Sequence, residues 1–384
     1  MDYNNVINKI NSKKSKIGII GLGYIGIPLA LRFVDEGFKV FGFDIDKDKV
    51  NQLKKGKTYI KNIPSVKISN AIKNGFIPLT IFESVGELDA IIICVPTPLD
   101  IDKNPDLSYI EKTLDSIKPF LKRNQILILE STTYPGTTEE KIIPMINSMG
   151  FNIGLDFFIG YSPEREDPGN KDFNTKNIPK VVSGFTQTCL KVINCLYSKV
   201  VEKTIPVKSI KAAEMTKIFE NIHRAVNIGL VNEMKIVADK MNINFYEVIQ
   251  AASSKPFGFT PYYPGPGIGG HCIPIDPFYL TWKAKEIGVN TRFIQLAGEI
   301  NESIPDYIVE KIIYNLNKID KSVKNSRILV LGVAYKKNVD DLRESPALKI
   351  IDELIKMKAS VAYSDPHVPS LNFKNRSNNS MKSV

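Results

Sequence analysis

The chain has 384 residues, of which 43% are hydrophobic and 24% charged, a composition typical of folded globular proteins with two or three domains. Its net charge of +10 gathers in no basic stripe or run, which favours a solubility role over nucleic-acid binding, although nucleic-acid binding stays an alternative. Four cysteines without a C-x-x-C pair and three scattered histidines indicate a reducing compartment and no metal site.

The uncharged run at residues 17–31 is the first patterned segment. It superficially resembles a signal peptide, but four glycines and a proline interrupt it, no small-residue cleavage site follows, and it is too short to span a bilayer. We therefore expect a cytoplasmic protein. A strand at residues 16–20, a turn and a helix at residues 27–36 explain the run better.

The turn between that strand and helix carries the pattern G-x-G-x-x-G, formed by Gly21, Gly23 and Gly26. In this context the first glycine permits a tight turn, the second lets a pyrophosphate approach the backbone, and the third lets helix and strand pack. A second strand at residues 39–43 ends in Asp44, whose carboxylate can accept both hydroxyls of an adenosine ribose. Because Asp44 would repel a 2'-phosphate, we predict NAD rather than NADP.

Further buried strands are predicted at residues 90–95 and 125–129, and each runs into a polar loop. Ligands of open α/β sheets bind at the carboxyl ends of the strands, so Thr97 and Thr132 are predicted to line the nicotinamide side of a cleft. A strand at residues 157–161 leads into a charged loop that contains Glu164, for which a solvated surface turn is the alternative.

From about residue 206 to 241 the apolar spacing predicts a long central helix with one polar face. Glu214, Lys217, Asn221 and Arg224 recur every three or four residues, so their side chains share that face. A surface salt-bridge row such as Glu214 with Lys217 is the alternative explanation.

A single cysteine lies in a loop of glycines and prolines at residues 262–277, and Asp276 follows Cys272 by four residues. Glycines let the backbone approach a ligand closely, and prolines stiffen the loop. This composition favours a nucleophilic thiol, whereas a rigid turn around a buried free cysteine is the alternative.

After a second helical region at residues 282–317, the opening pattern returns. We predict a strand at 327–334, a helix at 345–357 capped by Ser345, and a strand at 359–363 that ends near Asp365. The polar segment from residue 372 to 384 predicts no third strand, and two strands do not make a stable open sheet.

Taken in order, these motifs resemble the UDP-glucose/GDP-mannose dehydrogenase family, in particular its N-acetylglucosamine branch, over about residues 15–366. The matching segments are the G-x-G-x-x-G turn, Glu130-Ser131-Thr132, Ser162-Pro163-Glu164-Arg165, Lys217 with Asn221, the cysteine loop, and residues 340–346. The resemblance implies an α/β protein with an N-terminal NAD-binding Rossmann-type doubly wound sheet at 1–205, a central helical spine with the cysteine loop at 206–320, and a truncated Rossmann-like UDP-binding domain at 321–384.

The implied activity is the NAD-dependent, four-electron oxidation of C6 of a UDP-N-acetylhexosamine, first of all UDP-N-acetylglucosamine, for cell-surface polysaccharide biosynthesis. The resemblance makes Cys272 the nucleophile, and it gives catalytic roles also to Lys217, Asn221, Asp276, Glu164 and Thr132. It implies cofactor contacts from Gly21, Gly23, Tyr24, Ile25, Gly26, Asp44, Lys49, Thr97 and Thr132. It implies substrate contacts from Arg165, Lys217, Asn221, Arg224, Gly267, Lys336 and Arg343.

Several alternatives stay open beside this interpretation. UDP-N-acetylmannosamine, UDP-N-acetylgalactosamine and UDP-glucose are alternative substrates, and an inactive, truncated NAD-binding product is the alternative to an enzyme. We expect a homodimer or higher homo-oligomer through the central helix, and neither a nucleic-acid partner nor a membrane.

Overall fold

The structure is a computed structural model that describes residues 3–60, 63–100, 102–166, 170, 172–270, 273–372 and 380–383. The predicted nucleophile Cys272 lies outside the described residues. The chain divides into two compact units, Met1–Ile218 and Phe219–Val384.

The first unit is built around a parallel sheet. Its strands are β1 (Lys16–Ile20), β2 (Lys39–Phe43), β3 (Phe76–Leu79), β4 (Ala90–Ile93), β5 (Gln125–Leu129) and β6 (Phe157–Tyr161). Their order in the sheet is β3-β2-β1-β4-β5-β6, which is the order of the doubly wound dinucleotide-binding fold. Every residue of β4, β5 and β6 is buried, because helices cover both faces of such a sheet and select continuous apolar strands.

Helices surround this sheet in the first unit. They are α1 (Tyr3–Asn11), α2 (Gly26–Asp35), α3 (Lys47–Lys54), α4 (Ser65–Lys73), α5 (Ser108–Ile117), α6 (Ile143–Ser148) and α7 (Gln187–Tyr197). Two short strands, β7 (Lys180–Val182) and β8 (Thr204–Pro206), pair in parallel beside them. The apolar faces of α2 and α7 meet in one core cluster in which Phe33 and Tyr197 are fully buried.

The long helix α8 (Ile210–Lys240) contains the residue at which the two units divide. In the second unit it is followed by α9 (Phe245–Ala252), α10 (Asp276–Glu286) and α11 (Arg292–Asn317). The helical region predicted at residues 282–317 is therefore two helices, and Gly288, with φ of +75°, lies in the break between them.

Helices α8 and α11 pack closely at a glycine. A Cβ atom built on Gly229 would lie 3.3 Å from the backbone of Ala297, so a larger residue would push the helices apart. Two hydrogen bonds of buried side-chain amides also connect these helices. Asn232 Nδ2 donates to Asn301 Oδ1 at 2.9 Å, and Asn301 Nδ2 donates to the Ala225 carbonyl at 3.1 Å. The Gly265 amide donates to Asn232 Oδ1 at 3.0 Å, which ties the start of the cysteine loop to α8.

The end of the chain forms β9 (Arg327–Leu331), α12 (Pro346–Lys356) and β10 (Ser360–Ser364), with β9 and β10 parallel, as the sequence predicts. Among the described residues no third strand joins β9 and β10, but the polar end does contain a strand that was not predicted: β12 (Ser380–Lys382) pairs antiparallel with β11 (Ser370–Asn372) in a sheet of its own. Ser345 occupies the N-cap position of α12, but its hydroxyl donates to the Val333 carbonyl at 2.7 Å instead of capping the helix.

The predicted fold class is confirmed: the protein is α/β with a Rossmann-type parallel sheet. In the described part of the chain, no helix combines the length and hydropathy that crossing a bilayer requires.

Candidate active site

The glycine-rich turn joins β1 to α2, and each glycine has a distinct surrounding. Gly21 has φ of +94°, and a Cβ on it would lie 2.6 Å from the Cys94 carbonyl oxygen. A Cβ on Gly26 would lie 1.9 Å from the Gly21 oxygen, so the helix can approach the turn only without a side chain. A Cβ on Gly23 would meet no atom within 4 Å, which leaves open space where a pyrophosphate needs it.

Asp44 directly follows β2 and turns towards the same loop. Its Oδ2 accepts the Leu22 amide at 3.0 Å and its Oδ1 accepts the Asp46 amide at 3.0 Å. Each carboxylate oxygen can accept two hydrogen bonds, so Asp44 keeps acceptor capacity for ribose hydroxyls. These residues fit NAD.

Asp365 holds the equivalent place after β10 but differs in one respect. Its carboxylate accepts four backbone amides, those of Val333, Ala334, His367 and Val368, at 2.8 to 3.3 Å. Both oxygens are thereby occupied, and hydrogen bonds to the ionised form hold the pKa of Asp365 low although burial opposes them. The two βαβ units share a backbone plan, but only Asp44 is free to accept further donors.

Sequence reasoning missed Tyr59, whose hydroxyl donates to the Leu22 carbonyl within the glycine-rich turn. Burial, and then the charges of Asp44 and Asp46, raise the pKa of Tyr59, so it stays a donor. Lys49 lies in the first turn of α3, with Nζ 5.9 Å from the Tyr59 ring centroid. Of the other predicted cofactor contacts, Tyr24 is exposed and Ile25 is half-buried.

Thr97 and Thr132 lie in neighbouring loops, because β4 and β5 are adjacent and both loops follow the carboxyl ends of these strands. Thr97 is buried and Thr132 is half-buried. Ser131 ties the two loops together, since its hydroxyl donates to the Val95 carbonyl at 2.7 Å.

Glu164 follows β6 in the charged loop, and it is not a solvated surface residue. It is 8% exposed, and Lys217 Nζ lies 3.9 Å from its Oε2. Burial raises the pKa of Glu164, whereas the ammonium groups of Lys217 and then Lys180 oppose that rise. A buried carboxyl with a raised pKa beside a lysine is suited to take a proton from water.

Glu214 does not form a surface salt-bridge row with Lys217, because both side chains are buried. Its carboxylate accepts the Gly136 amide at 2.5 Å, the Thr138 amide at 2.9 Å and the Thr138 hydroxyl at 2.7 Å. It thereby binds the first amide of a π-helical turn at Thr138–Ile142 and the Gly136 amide just before that turn. Burial outweighs these bonds and raises the pKa of Glu214 to about 7.

In the second unit, Asn221 and Asp276 form a buried pair. Asn221 Nδ2 donates to Asp276 Oδ2 at 2.5 Å, and both residues are 3% exposed. Asp276 is the first residue of α10, four positions after Cys272, so α10 fixes the end of the cysteine loop.

The preceding part of the cysteine loop packs against residues 335–346 of the same unit. Gly267 has φ of +124°, and a Cβ on it would lie 3.1 Å from the Asn301 oxygen. The Gly270 amide donates to the Arg343 carbonyl at 2.9 Å. These contacts hold the glycine loop and the Arg343 loop together.

The remaining predicted substrate contacts differ in their surroundings. Arg343 is exposed and donates Nε and Nη2 to Asp341, while Lys336 is half-buried. Arg165 donates Nη1 to the Pro179 carbonyl at 2.9 Å, and Arg224 is exposed on α8.

A cavity of about 530 Å³ lies in the second unit beside the end of the cysteine loop. Its lining is mainly apolar and includes Ile273, Pro274, Phe278 and Pro346, with Glu302, Glu344 and Lys349 as charged members. No predicted substrate contact is among the described residues that line it.

Three family models match successive parts of the chain. Residues 15–201 match the NAD binding domain of the UDP-glucose/GDP-mannose dehydrogenase family, residues 211–303 its central domain, and residues 329–384 its UDP binding domain. The chain belongs to this family. The predicted NAD cofactor and the predicted NAD-dependent UDP-sugar 6-dehydrogenase class are confirmed with it.

Individual relatives are similar to this chain in sequence and structure over most of their length. The UDP-N-acetyl-D-glucosamine 6-dehydrogenase of Salmonella typhi is 38% identical over 355 residues, which are 92% of this chain and 82% of the relative. Among solved structures, the UDP-D-ManNAc dehydrogenase of Pyrococcus horikoshii superposes with a TM-score of 0.86 at 32% identity, covering 92% of this chain and 84% of that one. The UDP-N-acetyl-mannosamine dehydrogenase of Staphylococcus aureus gives 0.81 at 34% identity, covering 94% and 84%.

Proposed function

We propose that this enzyme oxidises C6 of a UDP-N-acetylhexosamine from alcohol to carboxylate, with UDP-N-acetylglucosamine as the preferred sugar. The observation that carries the proposal is the buried Glu164 with Lys217 3.9 Å away, at the carboxyl end of the NAD-binding sheet. Such a pair supplies both a base for water and a cation for developing oxyanions, and oxidation to a carboxylate needs both.

The reaction divides into two oxidations and a hydrolysis. NAD, when bound, accepts the hydride in each oxidation. In the first step C6 loses a hydride and its hydroxyl loses a proton, which gives an aldehyde. The Cys272 thiol gives up its proton, and its thiolate adds to the aldehyde carbon to form a thiohemiacetal oxyanion. Loss of a second hydride from C6 then leaves a thioester. Water cleaves the C–S bond, which gives the carboxylate and restores the thiol.

Each predicted catalytic residue has a proposed part in these steps. Lys217 and Asn221 donate to the C6 oxygen as it acquires charge, Glu164 takes the proton of the hydrolytic water, and Thr132 holds that water. Asp276 orients Asn221 through their 2.5 Å hydrogen bond. An ammonium near Cys272 would also favour its thiolate.

For the cofactor, we propose contacts from the glycine-rich turn, Asp44 and the loops after β4 and β5. The open space at Gly23 and the remaining acceptor capacity of Asp44 support this assignment. Tyr24, Ile25, Lys49, Thr97 and Thr132 complete the proposed set.

For the sugar nucleotide, we propose contacts from Arg165, Arg224, Gly267, Lys336 and Arg343. The positive charge of four of these residues matches a diphosphate. We also propose domains at residues 1–205, 206–320 and 321–384, a cytoplasmic location and a role in polysaccharide synthesis.

We also propose a homodimer through α8. Four large apolar side chains on this helix are exposed and recur on one face, Phe219, Leu230, Met234 and Val237, and the exposed Met241 directly after the helix extends this stripe. A stripe of this size on a helix favours burial against a second copy over solvent.

The choice of sugar is tested by initial rates of NADH formation with UDP-N-acetylglucosamine, UDP-N-acetylmannosamine, UDP-N-acetylgalactosamine and UDP-glucose. We expect the highest kcat/KM with UDP-N-acetylglucosamine, the substrate named for the Salmonella relative. A higher value with UDP-N-acetylmannosamine, named for both solved structures, would replace that sugar in the proposal and leave the chemistry intact.

A further inference from the structure

A buried ion pair lies beneath the charged loop of the first unit, and the proposed reaction does not use it. Glu130 directly follows β5 and is 1% exposed, and Lys180, the first residue of β7, is 7% exposed. Lys180 Nζ donates to Glu130 Oε2 at 2.9 Å, and the Tyr197 hydroxyl donates to Glu130 Oε1. Lys180 Nζ also lies 5.3 Å from the Tyr197 ring centroid.

Three consecutive residues of the β7 segment hold the loop that contains Glu164. The Ser162 hydroxyl donates to the Val181 carbonyl at 2.7 Å. Lys180 Nζ donates to the Pro163 carbonyl at 3.4 Å, and Arg165 donates to the Pro179 carbonyl at 2.9 Å. The residues on both sides of Glu164 are therefore anchored, and Lys180 is the charged member of the anchoring segment.

The charges around Glu164 come from several elements. The groups that act on it are Lys217 of α8, Lys180 of β7, Glu130 after β5 and, through its backbone amide, Glu166 in the same loop. Both lysines favour the ionised Glu164, Glu130 opposes ionisation, and Lys180 has a larger effect than Glu130. The neighbouring Glu166 has a pKa raised to about 7, by burial and then by the charge of Glu164.

A buried ion pair is weak evidence for a purely stabilising role, because removing two charges from water costs about as much as their attraction returns. An apolar pair would fill the same space. The ion pair instead holds the Lys180 ammonium where its charge acts on Glu164, the carboxyl that takes a proton in the proposed hydrolysis.

We propose that Lys180 is a positioning residue for Glu164: it anchors the Pro163 carbonyl and supplies a second buried ammonium, beside that of Lys217, that favours the ionised form of Glu164, the form that takes a proton from water. Glu130 and Tyr197 hold Lys180 in that place. This inference rests on the proposed role of Glu164 in hydrolysis.

The test is the pH dependence of kcat for NADH formation, measured on the intact enzyme with its best UDP-sugar. In Lys180→Met the midpoint of the acidic limb is expected to move to higher pH by about one unit or more, because the ionised Glu164 loses a neighbouring cation. Lys180→Arg keeps the charge and is expected to restore the wild-type midpoint.

Two further variants separate this effect from misfolding. Lys180→Met combined with Glu130→Gln removes both buried charges while the glutamine still accepts the Tyr197 hydroxyl, and a smaller shift in the same direction is expected. Lys211→Met removes an exposed lysine that pairs with Glu139 at 2.8 Å, and its midpoint is expected to match the wild type.

The possible outcomes distinguish a failure of the proposed role of Lys180 from a failure of the proposed function. If the wild type turns over and the folded double variant keeps the wild-type midpoint, the role of Lys180 is overturned and the proposed function stands. If Lys180→Arg shifts as far as Lys180→Met, charge is not the cause and the role is overturned as well. If the wild type oxidises no UDP-sugar, the proposed function fails and the inference falls with it.

Discussion

A methyl group added at Gly23 meets open space, whereas one added at Gly26 meets the Gly21 oxygen at 1.9 Å. The two glycines of one motif are thus required for different reasons. The fold itself requires a glycine at position 26, whereas we propose that the approaching cofactor requires the glycine at position 23.

This difference predicts opposite behaviour of two alanine variants. Gly23→Ala is expected to fold with a Tm within about 2 °C of the wild type and to weaken NAD binding about 100-fold, because its methyl group occupies the space of the pyrophosphate. Gly26→Ala is expected to lose about 3 kcal/mol or more of stability, because helix and turn must separate. Thermal melts and NAD titration by calorimetry check both, and wild-type NAD affinity in Gly23→Ala would contradict the cofactor assignment.

The titration of Glu214 determines in which direction the unfolding free energy changes with pH. Its pKa is about 7 in the folded chain against an ordinary value of 4.5, so between these pH values the folded state binds more protons than the unfolded state. The unfolding free energy therefore falls as pH rises through this window, by about 3 kcal/mol from this group.

Glu214→Gln removes this titration. We expect the difference in unfolding free energy between variant and wild type, measured in urea, to move in favour of the variant by about 3 kcal/mol from pH 4.5 to pH 8. Glu139→Gln serves as the control and should show no comparable change. Glu139 lies in the π-helical turn that Glu214 contacts, at a less buried position. A constant difference for Glu214→Gln would mean that folding does not change the pKa of Glu214, which would contradict this prediction.

At the scale of elements, the sequence predicted those strands that are continuous apolar runs between turn residues. The bounds of β1, β2, β5 and β6 agree with the prediction residue by residue. We did not predict β3, because it has only four residues and Pro78 lies among them, a residue that argues against a strand. Its place is set by pairing with β2, which is a tertiary interaction.

The side-chain partners of helix α8 also depend on tertiary contacts that the sequence did not predict. The spacing of Glu214 and Lys217 predicted a shared polar face, but not that Glu214 would bind the amides of Gly136 and Thr138. Likewise, no local pattern could pair Glu130 with Lys180, since fifty residues separate them. Such partners depend on the order of strands, and a single sequence does not reveal which side chains meet beneath a loop.

The exposed stripe on α8 predicts the oligomeric state. Leu230→Glu combined with Val237→Glu is expected to convert a dimer to a monomer, because burying two carboxylates in an apolar interface would weaken association by at least about 100-fold. Light scattering after size-exclusion chromatography measures the mass. Asn70→Glu, an exposed position on α4, should stay dimeric, and a dimeric stripe variant would contradict the proposed interface.

At the scale of the whole molecule, two βαβ patterns were readable from the sequence, and both are present. Their functional difference was not readable, because Asp44 and Asp365 each follow a strand and look alike in the chain. It depends on how many backbone amides turn towards each carboxylate, two for Asp44 and four for Asp365. The short antiparallel pair near the end of the chain was likewise concealed by its polar composition.

In the proposed reaction, one chain carries out two oxidations of the same carbon and then a hydrolysis. The number of NADH molecules formed per UDP-sugar, measured with limiting sugar and excess NAD, tests this directly. We expect two NADH per sugar and a UDP-uronic acid as product for the wild type, and no net formation of uronic acid by Cys272→Ala. One NADH per sugar with an aldehyde product, or unchanged uronic acid formation by Cys272→Ala, would contradict it.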